Sequence, residues 1–360
     1  MRTDSRLATR RAAAVAALPG DVDAVLVTRP ENVRYLSGFT GSNGALLLGH
    51  ETSPVLATDG RYVLQAAAEA PDVEVVERSR VAEALVERAA SAGMTRLGIE
   101  AHHLTVDLQR SLEQAGAGRV ELLAAGRLVE KLRTIKDGDE VEALRRACAA
   151  TDRAFESLLD RLRPGITERD AEWALITALR EAGADGPSFP SIVAFGPNAA
   201  IPHHQPGSRP LARGDLIKLD FGALVDGYHA DMTRTVVSGP AAHWQRDLHE
   251  AVRAIQWELS AAVAPGVVPA DLDREMRRLL TAAGYQVRHG LGHGVGLEIH
   301  EDPFLTERSP APALESGMVM TVEPGIYLEG HGGVRIEDTV LVGEGRCESL
   351  TTSSRDLIEC

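Results

Sequence analysis

Asp220, Asp231, His293, Glu323 and Glu337 carry the side chains needed to hold a pair of divalent metals. Each lies in a short segment arranged for chemistry rather than for packing. The segments read Leu219-Asp220-Phe221-Gly222, Asp231-Met232-Thr233-Arg234-Thr235, His289-Gly290-Leu291-Gly292-His293-Gly294, Val322-Glu323-Pro324-Gly325 and Val334-Arg335-Ile336-Glu337-Asp338-Thr339. Four carboxylates and one imidazole form a hard, oxygen-rich donor set suited to Mn, Co, Fe or Zn. They bring about four negative charges, enough to neutralise two M²⁺ ions. A metal pair tolerates little ligand wander, so the fold must gather these residues on rigid supports, and β-strands are the expected ones.

Asp220 and Asp231 flank Leu224-Val225-Asp226-Gly227, in which Asp226-Gly227 is a favoured two-residue hairpin turn. An antiparallel return sets the two aspartates on neighbouring strands. The alternative is a pair of surface carboxylates, but Asp220 follows Leu216-Ile217-Lys218-Leu219, which reads as a buried strand. A buried carboxylate needs a cation or hydrogen-bond donors. His293 stands among Gly290, Gly292, Gly294 and Gly296, which predicts close backbone approach and unusual torsions. A phosphate-cradling loop would require a lysine and a helix start after the glycines, and neither follows. His289 and His300 flank this stretch and are read as standing behind the ligands or facing substrate. Pro324 holds Glu323 in an extended or turn conformation. Residues 334–342 alternate, with Val334 and Ile336 on one face and Arg335 and Glu337 on the other. Burying either of the latter alone would be costly, and a metal beside the arginine relieves that cost. Upstream, a loop over 194–204 ends in His203 and His204. It could reach over the metals and offer an imidazole to a developing oxyanion or a leaving nitrogen.

The 360 residues exceed the usual ceiling for one core, so two domains are expected. In the first third, strands over 23–28, 44–48, 54–57, 73–76, 96–100 and 120–123 alternate with helices over 61–68, 81–92 and 105–114. A turn is expected at 29–32, and an amphipathic first helix carries Leu7, Val15 and Leu18. This pattern predicts an α/β domain over 1–130. His102-His103 reads as a solvated loop pair. The boundary falls near 129–137, where Lys131, Arg133 and Lys136 precede a helix capped by Asp137 with Glu140 three residues on. A second helix starts at Thr167. Strands over 192–194, 215–222, 233–237, 318–321 and 334–342, with helices over 243–263 and 270–283 kept apart from them, predict an α+β domain over 137–360 with a largely antiparallel sheet.

A formal charge of -14 argues against nucleic acid or an anionic membrane as partner. No apolar run approaches the ~20 residues of a membrane span. The stretch Arg10 to Leu18 is short and alanine-rich, unlike a secretory signal. Cys148, Cys347 and Cys360 have no C-x-x-C spacing, which speaks against a disulfide scaffold or structural zinc. A cytoplasmic protein is expected.

The ordered Asp, Asp, His, Glu, Glu set in these contexts resembles the pita-bread (M24) metallopeptidases: methionine aminopeptidase, Xaa-Pro aminopeptidase and Xaa-Pro dipeptidase (prolidase). The resemblance runs from about Asp137 to the last residue. The stretch from Asn32 through Tyr35-Leu36-Ser37-Gly38-Phe39-Thr40-Gly41 to Gly44 is similar to the creatinase-type N-terminal domain of the proline-directed branch. The resemblance implies that Asp220 chelates one metal, that Asp231 and Glu337 bridge both, and that His293 and Glu323 complete the other. Glu323 would also shuttle a proton from the bridging solvent, whose hydroxide attacks the Xaa-Pro bond. His203 matches the loop histidine at the scissile peptide, His300 the substrate-side histidine, and Arg335 the arginine beside the bridging glutamate. His204 has no clear counterpart. Two divalent ions, Mn first with Co, Fe or Zn behind it, short peptides with proline at the second position, and a homodimer complete what it implies. A creatinase-like metal-free amidinohydrolase and a catalytically silent binding protein on the same scaffold are the alternatives, and the intact ligand set speaks against both.

Overall fold

The computed structural model describes residues 5–50 and 52–360. The chain separates into two compact units, Met1–Arg133 and Thr134–Cys360. The first is built on a six-stranded mixed sheet, in the order Glu74–Glu77, Thr52–Thr58, Gly44–Gly49, Ala24–Val27, Arg96–Ile99, Glu121–Ala124. The central Ala24–Val27 strand is buried at every position, as an all-apolar AVLV run between two neighbours requires. Helix Val81–Ser91 covers one face through Ala82, Leu85, Val86 and Ala89, packed on Ala24, Leu26, Ala45 and Leu47. The first helix, Ser5–Ala16, buries Leu7, with Leu18 buried just beyond it.

Two local expectations need correction here, and one stretch gains an element. The turn expected at 29–32 opens a helix, Pro30–Ser37, in which Pro30 occupies the first turn and Gly38 closes it at φ 81°. A proline at a helix start and a proline in a turn share the same φ, so the residues alone do not separate the two. The boundary stretch, for which no element is predicted, is a helix, Leu128–Thr134, with Arg133 buried on Asn32 Oδ1 at 2.8 Å. The His102 ring also has a partner, 2.8 Å from Glu130 Oε1.

In the second unit the capped helices form where the caps stand. Asp137 and Glu140 make a reciprocal capping box at the start of Gly138–Leu159, and Thr167 caps Glu168–Glu181. Their apolar faces pack on one side of an antiparallel sheet ordered Met232–Val237, Leu216–Phe221, Ile192–Phe195, through Val193, Phe195, Ile217, Leu219 and Phe221. Helices His243–Ala262 and Pro269–Ala282 share a second core with the strands Val319–Val322 and Asp338–Val342. Those strands belong to a five-stranded antiparallel sheet that also contains Glu301–Leu305, Gly292–Gly294 and Cys347–Ser349. The fold is thus a mixed α/β N-terminal unit followed by an α+β unit. Among the described residues no helix is long and apolar enough to cross a membrane.

The expected single strand over 334–342 is interrupted. Gly332–Arg335 pairs with Gly325–Leu328, and Asp338–Val342 pairs with Val319–Val322. Both pairings keep one register, Val322 opposite Asp338 and Gly325 opposite Arg335, so this is a single long hairpin broken at Glu323-Pro324 and Ile336-Glu337. Pro324 lacks the N–H that the ladder needs, and the break falls there.

Candidate metal centre

Two sheets deliver the acids. In the first, Asp220 lies opposite Thr233, and Gly222 is the next position on the same face, with Asp231 beside it at the end of the partner strand. The two aspartates are therefore diagonal neighbours on one face. Their closeness depends on Gly222, where a Cβ would lie 1.7 Å from the Ala230 carbonyl oxygen. The intervening hairpin turns at Asp226-Gly227, with φ of 49° and 74°, as the dipeptide predicted. In the second sheet, the shared register puts Glu323 directly opposite Glu337 across the break. Two carboxylates in that relation repel unless a cation stands between them.

His293 enters on the Gly292–Gly294 strand, its N–H held by Thr321 Oγ1 at 3.1 Å. None of the four surrounding glycines has a positive φ, so the expectation of unusual torsions fails, and close approach alone explains them. A Cβ at Gly292 would come within 2.1 Å of the Thr321 carbonyl oxygen. The His293 Nδ1–H donates to the Gly294 carbonyl at 3.1 Å, which leaves the Nε2 lone pair facing inward. Nε2 lies 3.5 Å from Asp231 Oδ2 and 3.7 Å from Glu323 Oε1. One ligand atom each from Asp231, His293 and Glu337 falls within 4.8 Å of the others. All five sequence-predicted ligands line one cavity of about 460 Å³.

The electrostatics are those of an acid cluster short of positive charge. Burial, and then the neighbouring Glu337, raises the Asp231 carboxyl well above its ordinary range. Burial and Glu323 do the same to Glu337. Glu323 is pushed up to about 8, chiefly by burial. Burial lowers His293 to about 3, so it stands neutral, as a ligand imidazole must. Arg335 donates to Asp220 Oδ2, and Thr233 Oγ1 donates to Glu337 Oε2 at 2.6 Å. Asp231 Oδ1 is buried with no hydrogen-bond partner among the described residues. An orphaned carboxylate oxygen beside an inward imidazole nitrogen and two opposed glutamates fits a divalent cation in both charge and donor type.

The other predicted residues gather around the same cavity. His203, His289, His300 and Arg335 all line it, as does His204. The His300 ring stands edge-on to His293, 4.3 Å between centroids. His289 Nδ1–H donates to its neighbour's carbonyl, Gly290 O, at 2.8 Å. Its Nε2 accepts from the Tyr327 hydroxyl at 2.8 Å, which in turn accepts from Arg335 at 2.8 Å. Burial lowers His289 to about 4 and raises the Tyr327 phenol to about 12, so this relay is neutral at both rings. His204, which had no role in the sequence reading, is held 2.8 Å from Glu168 Oε2. Sequence reasoning passed over Tyr327, Glu168, Lys218 and the Thr233, Thr321 and Thr339 hydroxyls. Strand parity could have found two of them, since Tyr327 is two positions after Gly325 in the hairpin and Lys218 two before Asp220.

Comparison with known proteins places the chain in a family. A model of metallopeptidase family M24 matches residues 142–344, and a model of the Creatinase/Prolidase N-terminal domain matches residues 11–135. An Xaa-Pro dipeptidase of Pyrococcus horikoshii is 32% identical over 340 residues, 94% of this chain and 95% of that one. Among solved structures, an Xaa-Pro dipeptidase from Bacillus anthracis superposes with a TM-score of 0.94 at 34% identity, covering 98% of this chain and 100% of that one. An X-Pro aminopeptidase from Thermotoga maritima superposes at 0.87 with 34% identity, covering 94% and 98%. With both family models matched and relatives covered along nearly their whole length, the chain belongs to metallopeptidase family M24, as a pita-bread enzyme with a creatinase-type N-terminal domain.

Proposed function

We propose that this protein hydrolyses the Xaa-Pro bond of short peptides, as an aminopeptidase or a dipeptidase, with two divalent metal ions held by Asp220, Asp231, His293, Glu323 and Glu337. Mn is the first choice of metal, with Co, Fe or Zn as alternatives. The observation that carries the reading is the meeting of three under-neutralised carboxylates, Asp231, Glu323 and Glu337, with an inward His293 Nε2 and the orphaned Asp231 Oδ1. Bound ions would supply a hydroxide nucleophile near neutral pH and a Lewis acid for the carbonyl.

The chain's own residues do the rest. Glu323 keeps 18% of its side chain exposed on the cavity, which suits a group that takes and returns a proton there. His203, exposed on the cavity, can donate to the oxyanion or the leaving proline nitrogen. His300 stands on the substrate side, and Arg335 steadies Asp220 while ordering the Tyr327–His289 relay. A prolyl nitrogen offers no N–H, so selectivity must come from shape. Phe189, Pro190, Ile192, Ile299 and Phe304 supply the apolar wall of the cavity. The proposal takes residues 1–130 as the creatinase-type domain and 137–360 as the catalytic one, in a cytoplasmic homodimer.

The test is release of proline from Xaa-Pro dipeptides and from Xaa-Pro-containing tripeptides, with and without chelator. Turnover should vanish on chelation and return with Mn²⁺, and the better substrate decides between dipeptidase and aminopeptidase. Turnover of a guanidino compound by metal-free protein would sink the metal reading. Binding without turnover would make the scaffold silent. His203→Ala should keep metal binding and lose ~10²–10³ in turnover. An unchanged rate would remove His203 from the reaction.

A further inference from the structure

Lys218 is fully buried in the middle of the Leu216–Phe221 strand, between Ile217 and Leu219. It shares the strand face of Asp220, two positions on, and so points to the metal side of the sheet. Among the described residues it makes no ion pair with a carboxylate within 4 Å. Its Nζ donates instead to two consecutive backbone carbonyls, Ile201 at 2.6 Å and Pro202 at 3.1 Å, and lies 5.2 Å over the Tyr327 ring. The next residue in the chain is His203.

A buried amine in a strand core costs more than a leucine would, unless something in the fold uses its donors. Here that use is specific. The 201–203 segment is irregular, and Pro202 has no N–H of its own to anchor it. Downstream, the loop is held separately: Glu168 takes the His204 ring at 2.8 Å and the Gly207 N–H at 3.0 Å. Upstream of His203, the anchors at the carbonyls of 201 and 202 are Lys218 and a single 3.3 Å bond from Arg335 to Pro202. An amine keeps two N–H donors even when uncharged, so both bonds survive at any protonation state.

We propose that Lys218 is a positioning residue: by clamping the Ile201 and Pro202 carbonyls from within the sheet that carries Asp220, it fixes where His203 stands over the metal centre. The proposal rests on the reading of His203 as a group that acts on the substrate. A catalytic group misplaced by about 1 Å can cost ~10²-fold in rate, so an anchor one residue away has leverage over turnover without touching substrate.

The test uses the full-length chain in two arms. In the metal-free protein, histidine labelled with ¹³C at Cε1 gives a His203 resonance, identified by its loss in His203→Ala. Lys218→Met should broaden or split that line while the His293 line stays in place. An unmoved His203 line overturns the proposal whatever the activities do. In the metal-loaded enzyme, Lys218→Met should lower kcat by ~10–10². KM and metal stoichiometry should change little, and adding it to His203→Ala should produce no further loss. Losses that multiply in the double variant, or a fall in metal content, would show that Lys218 acts through Asp220 instead and overturn the clamp. If Lys218→Met does not fold, Lys218→Gln, a shorter donor, serves in both arms with the same criteria. A rate unchanged by His203→Ala alone defeats the functional reading of His203, and the resonance arm distinguishes that outcome from a failure of the clamp.

Discussion

Glu337 and Asp338 are neighbours in the chain, both fully enclosed at 2% and 0% exposure, and their surroundings treat them in opposite ways. Asp338 accepts from Arg234 at 2.7 Å, Thr351 at 2.8 Å, Gln256 at 2.7 Å and Arg355 at 2.5 Å, so both oxygens are satisfied. Burial opposes its charge, yet Arg234 and Arg355 outweigh it and hold the carboxyl below its usual range. Glu337 faces the other side of the same strand edge, takes one hydroxyl from Thr233, and meets Glu323 and Asp220 across the cavity. Its carboxyl is driven up. A buried acid whose charge is matched by protein is structural, and one that is left unmatched beside other acids marks a place for a cation.

Each side of this contrast can be broken. The largest effect is expected at the matched acid: Asp338→Asn should cost about 3–5 kcal/mol, because Arg234 is left buried without its partner. Chemical denaturation measures it, and metal content should be unchanged in the protein that remains folded. At the unmatched cluster, Asp231→Asn should remove metal and turnover together, by more than about 10²-fold, the loss that even an outer partner of a ligand can cause. Elemental analysis beside the proline-release assay checks that the two fall together. Next in size, chelation of the native protein should remove about 2.7 kcal/mol if metal stood at a hundred times its Kd. That drop should also appear in Asp338→Asn, which keeps all five candidate ligands.

The last comparison is a pH dependence. Glu323 titrates at about 8 in the folded metal-free chain and at 4.5 when unfolded, so the folded form binds its proton more tightly and its contribution is lost as pH rises through 8. Burial moves Lys218 the other way, down to about 6, so the wild-type trend alone is ambiguous. The difference between Glu323→Gln and wild type reads the acid cluster to which Glu323 belongs. In chelator, the variant's advantage should be near zero below pH 4.5, grow as pH rises to about 8 and level off above it. A thermal-melt series that shows a flat difference would mean that Glu323 is no part of the unmatched set.

What the sequence made legible was mostly local. The capping box at Asp137, the Thr167 cap and the Asp226-Gly227 turn each involve a few adjacent residues, and each forms as read. The siting of four of the five candidate ligands on or beside strands was legible too, because buried strands leave acids nowhere else to go. What stayed hidden depended on residues far apart in the chain. Thr339 holds the Asp231 carbonyl at 2.7 Å and Glu168 holds His204 at 2.8 Å, and no spacing rule encodes either. The hairpin break at Pro324 was hidden for another reason. Its partner at Ile336-Glu337 looks regular in sequence, and the missing N–H is on the opposite strand.

The contact at Gly222 has a consequence for how this chain can vary. With 1.7 Å between a hypothetical Cβ and the Ala230 oxygen, even alanine would push the two aspartate-bearing strands apart. Drift in a lineage can exchange wall residues, surface charges and loop lengths, and chemistry will tolerate many of those trades. It has no substitute for the lone hydrogen at 222, so that position should be among the last to change while the acids still work as a pair.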